Sequence, residues 1–133
     1  MTPIPEAGDP VLIVDDNEAN LKLARVVLQS SGYVVRTAES AEQAVQALAG
    51  FRPRLILMDI QLPGTDGLTL SRRLKDDPAT RDIVILALTA YAMKGDDERV
   101  RKAGCDGYIT KPIDTRALAE VVARHLRKAK DMA

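Results

Sequence analysis

Three short apolar runs, each ending at a polar side chain, set the frame of this chain. Val11-Leu12-Ile13-Val14 stops at Asp15-Asp16, Leu55-Ile56-Leu57-Met58 stops at Asp59, and Ile83 to Leu88 stops at Thr89. Unbroken apolar runs of this length suit strands covered on both faces, as a parallel sheet requires. Two weaker stretches with β-branched residues, Tyr33 to Thr37 and Gly107 to Thr110, complete five predicted strands.

Helical spacing fills the intervals. Leu21, Ala24 and Leu28 mark a first helix that ends at Ser31-Gly32. Ala41, Ala44, Val45 and Leu48 mark a second, with Ser40 as its N-cap. Gly67 to Asp77 reads as a third, closed by Pro78, which cannot continue the hydrogen-bond ladder. Lys94 to Ala103 is a fourth, stopped by Gly104. Leu118, Val121, Val122 and Leu126 mark a fifth, opened by Asp114 as N-cap and running to about Lys128. The fourth helix is crowded with charge and offers only Met93, Val100 and Ala103 to a core, which makes it one of the less firmly held elements.

Strand and helix thus alternate five times, which predicts an α/β fold: a (βα)₅ doubly wound parallel sheet with helices on both faces. Residues 1–9 read as a flexible leader, 10–128 as the domain and 129–133 as a C-terminal tail. Aromatics make up only 3% of the chain, so the core must come from Leu, Ile, Val and Ala. The 19 basic and 19 acidic side chains cancel, which disfavours nucleic-acid binding by bulk charge. A lone cysteine, Cys105, excludes an internal disulfide and reads as a small buried hydrophobe. No run of about 18 apolar residues and no signal-peptide pattern is present, so the expectation is a cytoplasmic protein without a membrane span.

Open α/β sheets bind ligands beyond the C-terminal ends of their strands. The polar residues there are Asp15 and Asp16 after the first strand, Asp59 after the third, Thr89 after the fourth and Lys111 after the fifth. One aspartate after a strand is ordinarily a turn or cap residue. Three carboxylates, a hydroxyl and an ammonium at one edge are hard to attribute to capping. Packed carboxylates resist ionisation unless a cation compensates, and Mg²⁺ takes such oxygen ligands while bridging carboxylate to phosphate. Asp59 could then act as a nucleophile toward phosphorus, with Lys111 and Thr89 facing the phosphoryl oxygens. His125, the only histidine, lies far from these strand ends and is assigned no chemistry.

These residues resemble the receiver domains of two-component response regulators, over roughly Pro10 to Arg127. The stretches that carry the likeness are Val11 to Asn17, Leu57 to Gly64, Leu88-Thr89-Ala90 and Lys111-Pro112. The resemblance implies a flavodoxin-like sheet of order 2-1-3-4-5. It makes Asp59 the phosphoacceptor and Asp15 and Asp16 the acidic pocket for Mg²⁺ (or Mn²⁺), with Gln61 adding its backbone carbonyl. It places Thr89 and Lys111 on the phosphoryl group, makes the Lys111–Pro112 bond cis, and makes Tyr108 the switch aromatic. The implied donor is a phosphohistidine on a sensor histidine kinase or histidine phosphotransfer domain. The implied output is a downstream protein docking on the fourth helix, fifth strand and fifth helix. No conventional enzyme is implied beyond Mg²⁺-dependent self-phosphorylation from a phosphodonor and autodephosphorylation. Ala90 to Arg99 is similar to single-domain regulators of the DivK type and to receivers of hybrid kinases, and Lys75 to Pro78 resembles receivers fused to diguanylate cyclases.

Rival readings meet specific obstacles. A phosphatase of the haloacid-dehalogenase type needs an acid/base aspartate two residues after its nucleophile, where this chain has Gln61. A flavodoxin-like electron carrier needs a phosphate loop after the first strand, where Asp15-Asp16-Asn17 would repel the flavin phosphate. A degenerate receiver would lack part of the site, and all five residues are present. The absence of a visible output domain favours a stand-alone regulator that signals by docking, with a module excised from a hybrid kinase or diguanylate cyclase regulator as the alternative.

Overall fold

The computed structural model describes residues 8–62, 66–89 and 96–132. The leader's residues 1–7, Pro63 and Gly64 of the second stretch, and residues 90–95, with Ala90 and Met93 among them, lie outside the described residues.

The chain alternates as its pattern predicts: β1 (Pro10–Val14), α1 (Glu18–Ser30), β2 (Val34–Ala38), α2 (Ala41–Leu48), β3 (Leu55–Asp59), α3 (Gly67–Asp76), β4 (Val84–Thr89), α4 (Asp96–Lys102), β5 (Gly107–Thr110) and α5 (Leu118–Met132). The five strands form one parallel sheet in the order β2-β1-β3-β4-β5. Residues in β1, β3 and β4 are buried almost throughout, because side chains from both faces meet helices. β2 differs. Val34, Arg36 and Thr37 are exposed at the sheet edge, which explains why its sequence signal is weak.

Successive strand residues point to opposite faces, and this splits the core into two layers. Val11, Ile13, Leu55, Leu57, Leu86 and Leu88 pack with Leu21, Ala24 and Leu28 of α1 and Leu118, Val122 and Leu126 of α5. Leu12, Val14, Ile56, Met58, Ile85 and Ala87 pack on the other side with α2, α3 and α4. A fully buried Leu or Ile contributes about 1.5–3 kcal/mol by leaving water, so these layers dominate stability.

Several local expectations need correction. Tyr33 precedes β2 rather than opening it; its N–H bonds the Leu28 carbonyl at 3.1 Å and its ring is buried. Ile83 likewise precedes β4. Val45 is 52% exposed although it falls at helical spacing, because α2 presents Ala41, Ala44, Ala47 and Leu48 to the core and Val45 flanks that stripe. Asp9 does not belong to a loose leader: it pairs with Arg54 at 2.9 Å, and its carbonyl accepts from Val34. Asp114 caps a turn at Thr115–Ala117 through its contact with the Arg116 N–H, and α5 proper opens at Leu118. α5 also continues past Lys128 to Met132, with Ala129 adding to the inner stripe begun by Val122 and Leu126. Of the described residues of α4, Val100 and Ala103, just past the helix end, reach the core.

Candidate functional site

β1 and β3 are adjacent and parallel, so their C-terminal ends deliver Asp15 and Asp59 to the same edge of the sheet. One carboxylate oxygen from each of Asp15, Asp16 and Asp59 lies within 4.8 Å of the others. Asp15 and Asp59 are buried, whereas Asp16 is exposed. Each buried carboxylate is anchored by a backbone N–H two residues on: Asn17 donates to Asp15 Oδ1 and Gln61 to Asp59 Oδ1, both at 2.9 Å. This repeated turn fixes one oxygen of each group and leaves the other facing the cluster.

Lys111 fills the space between them. Its Nζ lies 3.0 Å from Asp59 Oδ2 and 3.1 Å from Asp15 Oδ2. The lysine is placed by continuation of the sheet, since its backbone N–H donates to the Thr89 carbonyl at 2.7 Å. Thr89 itself is buried at the end of β4. The Lys111–Pro112 peptide bond is cis. Tyr108 is 43% exposed on β5, on the opposite face to Ile109, which packs with α1 and α5.

Burial pushes the Asp59 carboxyl above its ordinary value, against the Gln61 N–H and Lys111, which favour the charged form. The Asp15 charge adds only a minor upward push. Desolvation is thus the leading reason that Asp59 resists ionisation, and the like charge of Asp15 acts in the same direction. Burial works against the charge on Lys111, but the hydrogen bonds that its ammonium donates to Asp59 and Asp15 outweigh it and hold the group above its ordinary value.

The hard oxygen donors of Asp15, Asp16 and Asp59 suit a divalent cation such as Mg²⁺, and a single ammonium does not neutralise three carboxylates. All five strand-end residues thus fall at one edge of the sheet. His125 stays apart, with Nδ1 on the Val121 carbonyl at 2.9 Å and its ring against Gly107 at the start of β5. Two contributors escape a reading based on strand ends. Asn17 caps α1 by accepting from the Asn20 N–H, and the Asn20 side-chain amide turns back to Asp15 Oδ2 at 3.4 Å. The signal was the five-residue spacing from Asp15 to Asn20, which a helix starting directly after β1 folds back over the site.

The comparisons with known proteins give the family. Residues 11–123 match the family model of the response regulator receiver domain, and the chain belongs to that family. It is 45% identical over 119 residues to the polar-differentiation response regulator DivK of Brucella anthropi, spanning 90% of this chain and 97% of that protein. The DivK of Brucella melitensis matches to the same extent. A receiver domain protein of Methanospirillum hungatei superposes with a TM-score of 0.86 at 28% identity, over 95% of this chain and 99% of that one. The receiver domain of a sensor histidine kinase from Pseudomonas aeruginosa, with a magnesium ion coordinated in its active-site cleft, gives 0.82 at 35% identity over 91% and 99%. No described helix is long and apolar enough to cross a membrane.

Proposed function

We propose that the chain accepts a phosphoryl group on Asp59 from a phosphohistidine of a sensor histidine kinase or histidine phosphotransfer domain. The observation that carries this reading is Lys111 Nζ lying 3.0 Å from Asp59 Oδ2 and 3.1 Å from Asp15 Oδ2, inside a cluster of three carboxylates. An Asp59 oxygen attacks phosphorus, the P–O bond forms as the P–N bond breaks, and the imidazole nitrogen leaves with the bonding pair. Asp15, Asp16 and Asp59, with the backbone carbonyl of Gln61, would hold Mg²⁺ or Mn²⁺. When bound, such an ion supplies charge neutralisation for the carboxylates and for the phosphoryl oxygens.

Lys111 is the chain's own counter-charge for the incoming group, and the Thr89 hydroxyl is a donor at the same edge. The phosphoryl group shifts the domain between two arrangements only by interacting differently with each. A coupling of roughly 1–3 kcal/mol is typical. In this reading Thr89 draws toward the phosphoryl oxygens and Tyr108 turns inward. The altered α4–β5–α5 face is then offered to a downstream protein. The phosphoryl group is later lost by hydrolysis at the same site.

The test is the intact mass after incubation with Mg²⁺ and acetyl phosphate. The wild type should gain one phosphoryl mass and Asp59→Asn none. A wild type that stays unmodified, or an Asn variant that gains the same mass, removes Asp59 from this role.

A further inference from the structure

Asp15 is buried, so each of its carboxylate oxygens needs a hydrogen-bond partner from within the protein or the site. Oδ1 has a fixed partner in the Asn17 N–H at 2.9 Å. Oδ2 has two: the Lys111 ammonium at 3.1 Å and the Asn20 side-chain amide at 3.4 Å. The two differ in freedom. Lys111 is shared with Asp59 and sits at the end of a long, flexible side chain. Asn20 sits in the first turn of α1, where its own N–H is held by the Asn17 cap at 3.0 Å. Its short side chain therefore reaches Asp15 from a fixed base.

We infer that Asn20 is a positioning residue for the cation pocket, orienting Asp15 through Oδ2 alongside the shared Lys111 ammonium. A neutral amide is suited to this task. It orients the carboxylate without adding a positive charge that would compete with a divalent ion, as a second lysine would. It also keeps the buried Oδ2 from losing every partner when the shared ammonium moves. Groups that orient a metal-binding carboxylate commonly alter metal affinity when removed. This inference rests on the cation pocket proposed above.

The experiment is calorimetric titration of the unphosphorylated full chain with Mg²⁺, alongside thermal melting in EDTA. Asn20→Leu keeps the shape and removes both donors, and Asn20→Ala removes them in a strong helix former that should leave α1 folded. Both should weaken Mg²⁺ binding by about tenfold or more, with metal-free melting close to the wild type. Asn20→Gln, which retains the amide, should recover most of the affinity. If Asn20→Ala melts like the wild type and binds Mg²⁺ equally well, Asn20 has no such role. If Asn20→Gln binds as poorly as Asn20→Ala, the amide is not what matters and the inference is also lost. A wild type that fails to bind Mg²⁺ overturns the pocket itself, an outcome separate from either of these.

Discussion

Lys75 Nζ lies 2.9 Å from Asp106 Oδ2, tying the last turn of α3 to the loop that opens β5 at the end of the sheet away from the acidic cluster. The same ammonium donates to the carbonyls of Ile83 at 2.7 Å and Arg81 at 3.2 Å, and Asp106 Oδ2 also accepts the Ile85 N–H at 2.8 Å. The aliphatic stem lies against Gly104, whose φ of +88° turns the chain out of α4. Three segments meet at one cation. Lys75→Met keeps the stem and removes the charge, and should cost about 1–2 kcal/mol in urea unfolding. Asp106→Asn retains an acceptor for Ile85 and should cost less. An unchanged midpoint for Lys75→Met would show the staple to be dispensable.

A second prediction concerns how closely α3 approaches the phosphoacceptor strand. A Cβ on Gly67 would overlap the Asp59 carbonyl oxygen and lie 2.8 Å from its carbon. Relief requires either α3 or the backbone of Asp59 to move. Gly67→Ala should therefore destabilise the fold by about 1–3 kcal/mol and slow phosphorylation by acetyl phosphate. Melting and intact-mass kinetics on one sample test both effects. Wild-type behaviour in both would mean that the helix shifts at no cost to the site.

The raised Asp59 value has a definite consequence for stability against pH. The folded protein holds this proton more tightly than the unfolded chain, whose value is near 3.8. The stabilisation is fully present below that pH and is lost as pH rises through the folded value. Asp59→Asn cannot ionise, so in EDTA at about pH 7 it should melt higher than the wild type, with the gap closing toward about pH 4. Mg²⁺ at a hundredfold over its Kd should stabilise the wild type by about 2.7 kcal/mol and narrow the gap at neutral pH. A variant that melts lower than the wild type in EDTA at neutral pH would contradict this account of the buried Asp59 charge.

Thr89→Ala separates acceptance of the phosphoryl group from its readout. The variant should still gain the phosphoryl mass at Asp59. Its amide hydrogen exchange across α4 and β5 should respond to phosphorylation no more than about half as strongly as that of the wild type, on the scale of a coupling worth roughly 1 kcal/mol. An equal response in both proteins would disprove the proposed Thr89–Tyr108 relay.

Much of the fold is legible along the chain because burial is periodic. Val11 to Val14 and Leu55 to Met58 are apolar at every position, as strands between two helical layers must be, and Ser40 and Gly104 mark helix ends by local backbone chemistry. The edge strand β2 is faint because three of its five residues face water. Val45 misleads because spacing names the stripe on α2 but not its edges. Asp9 escapes because its hold on the domain depends on Arg54, far along the chain.

The sequence by itself determined which residues end the strands, and so which chemical groups gather at one edge: Asp15, Asp16, Asp59, Thr89 and Lys111. That information is local, since a polar residue directly after an apolar strand can only emerge at its tip. Only the tertiary structure decided that Lys111 bridges Asp15 and Asp59, that Asn20 turns back onto Asp15, and that Gly67 must lack a side chain. Those facts depend on which strands lie side by side and how closely each helix settles against them, and such distances arise from packing between segments remote in sequence.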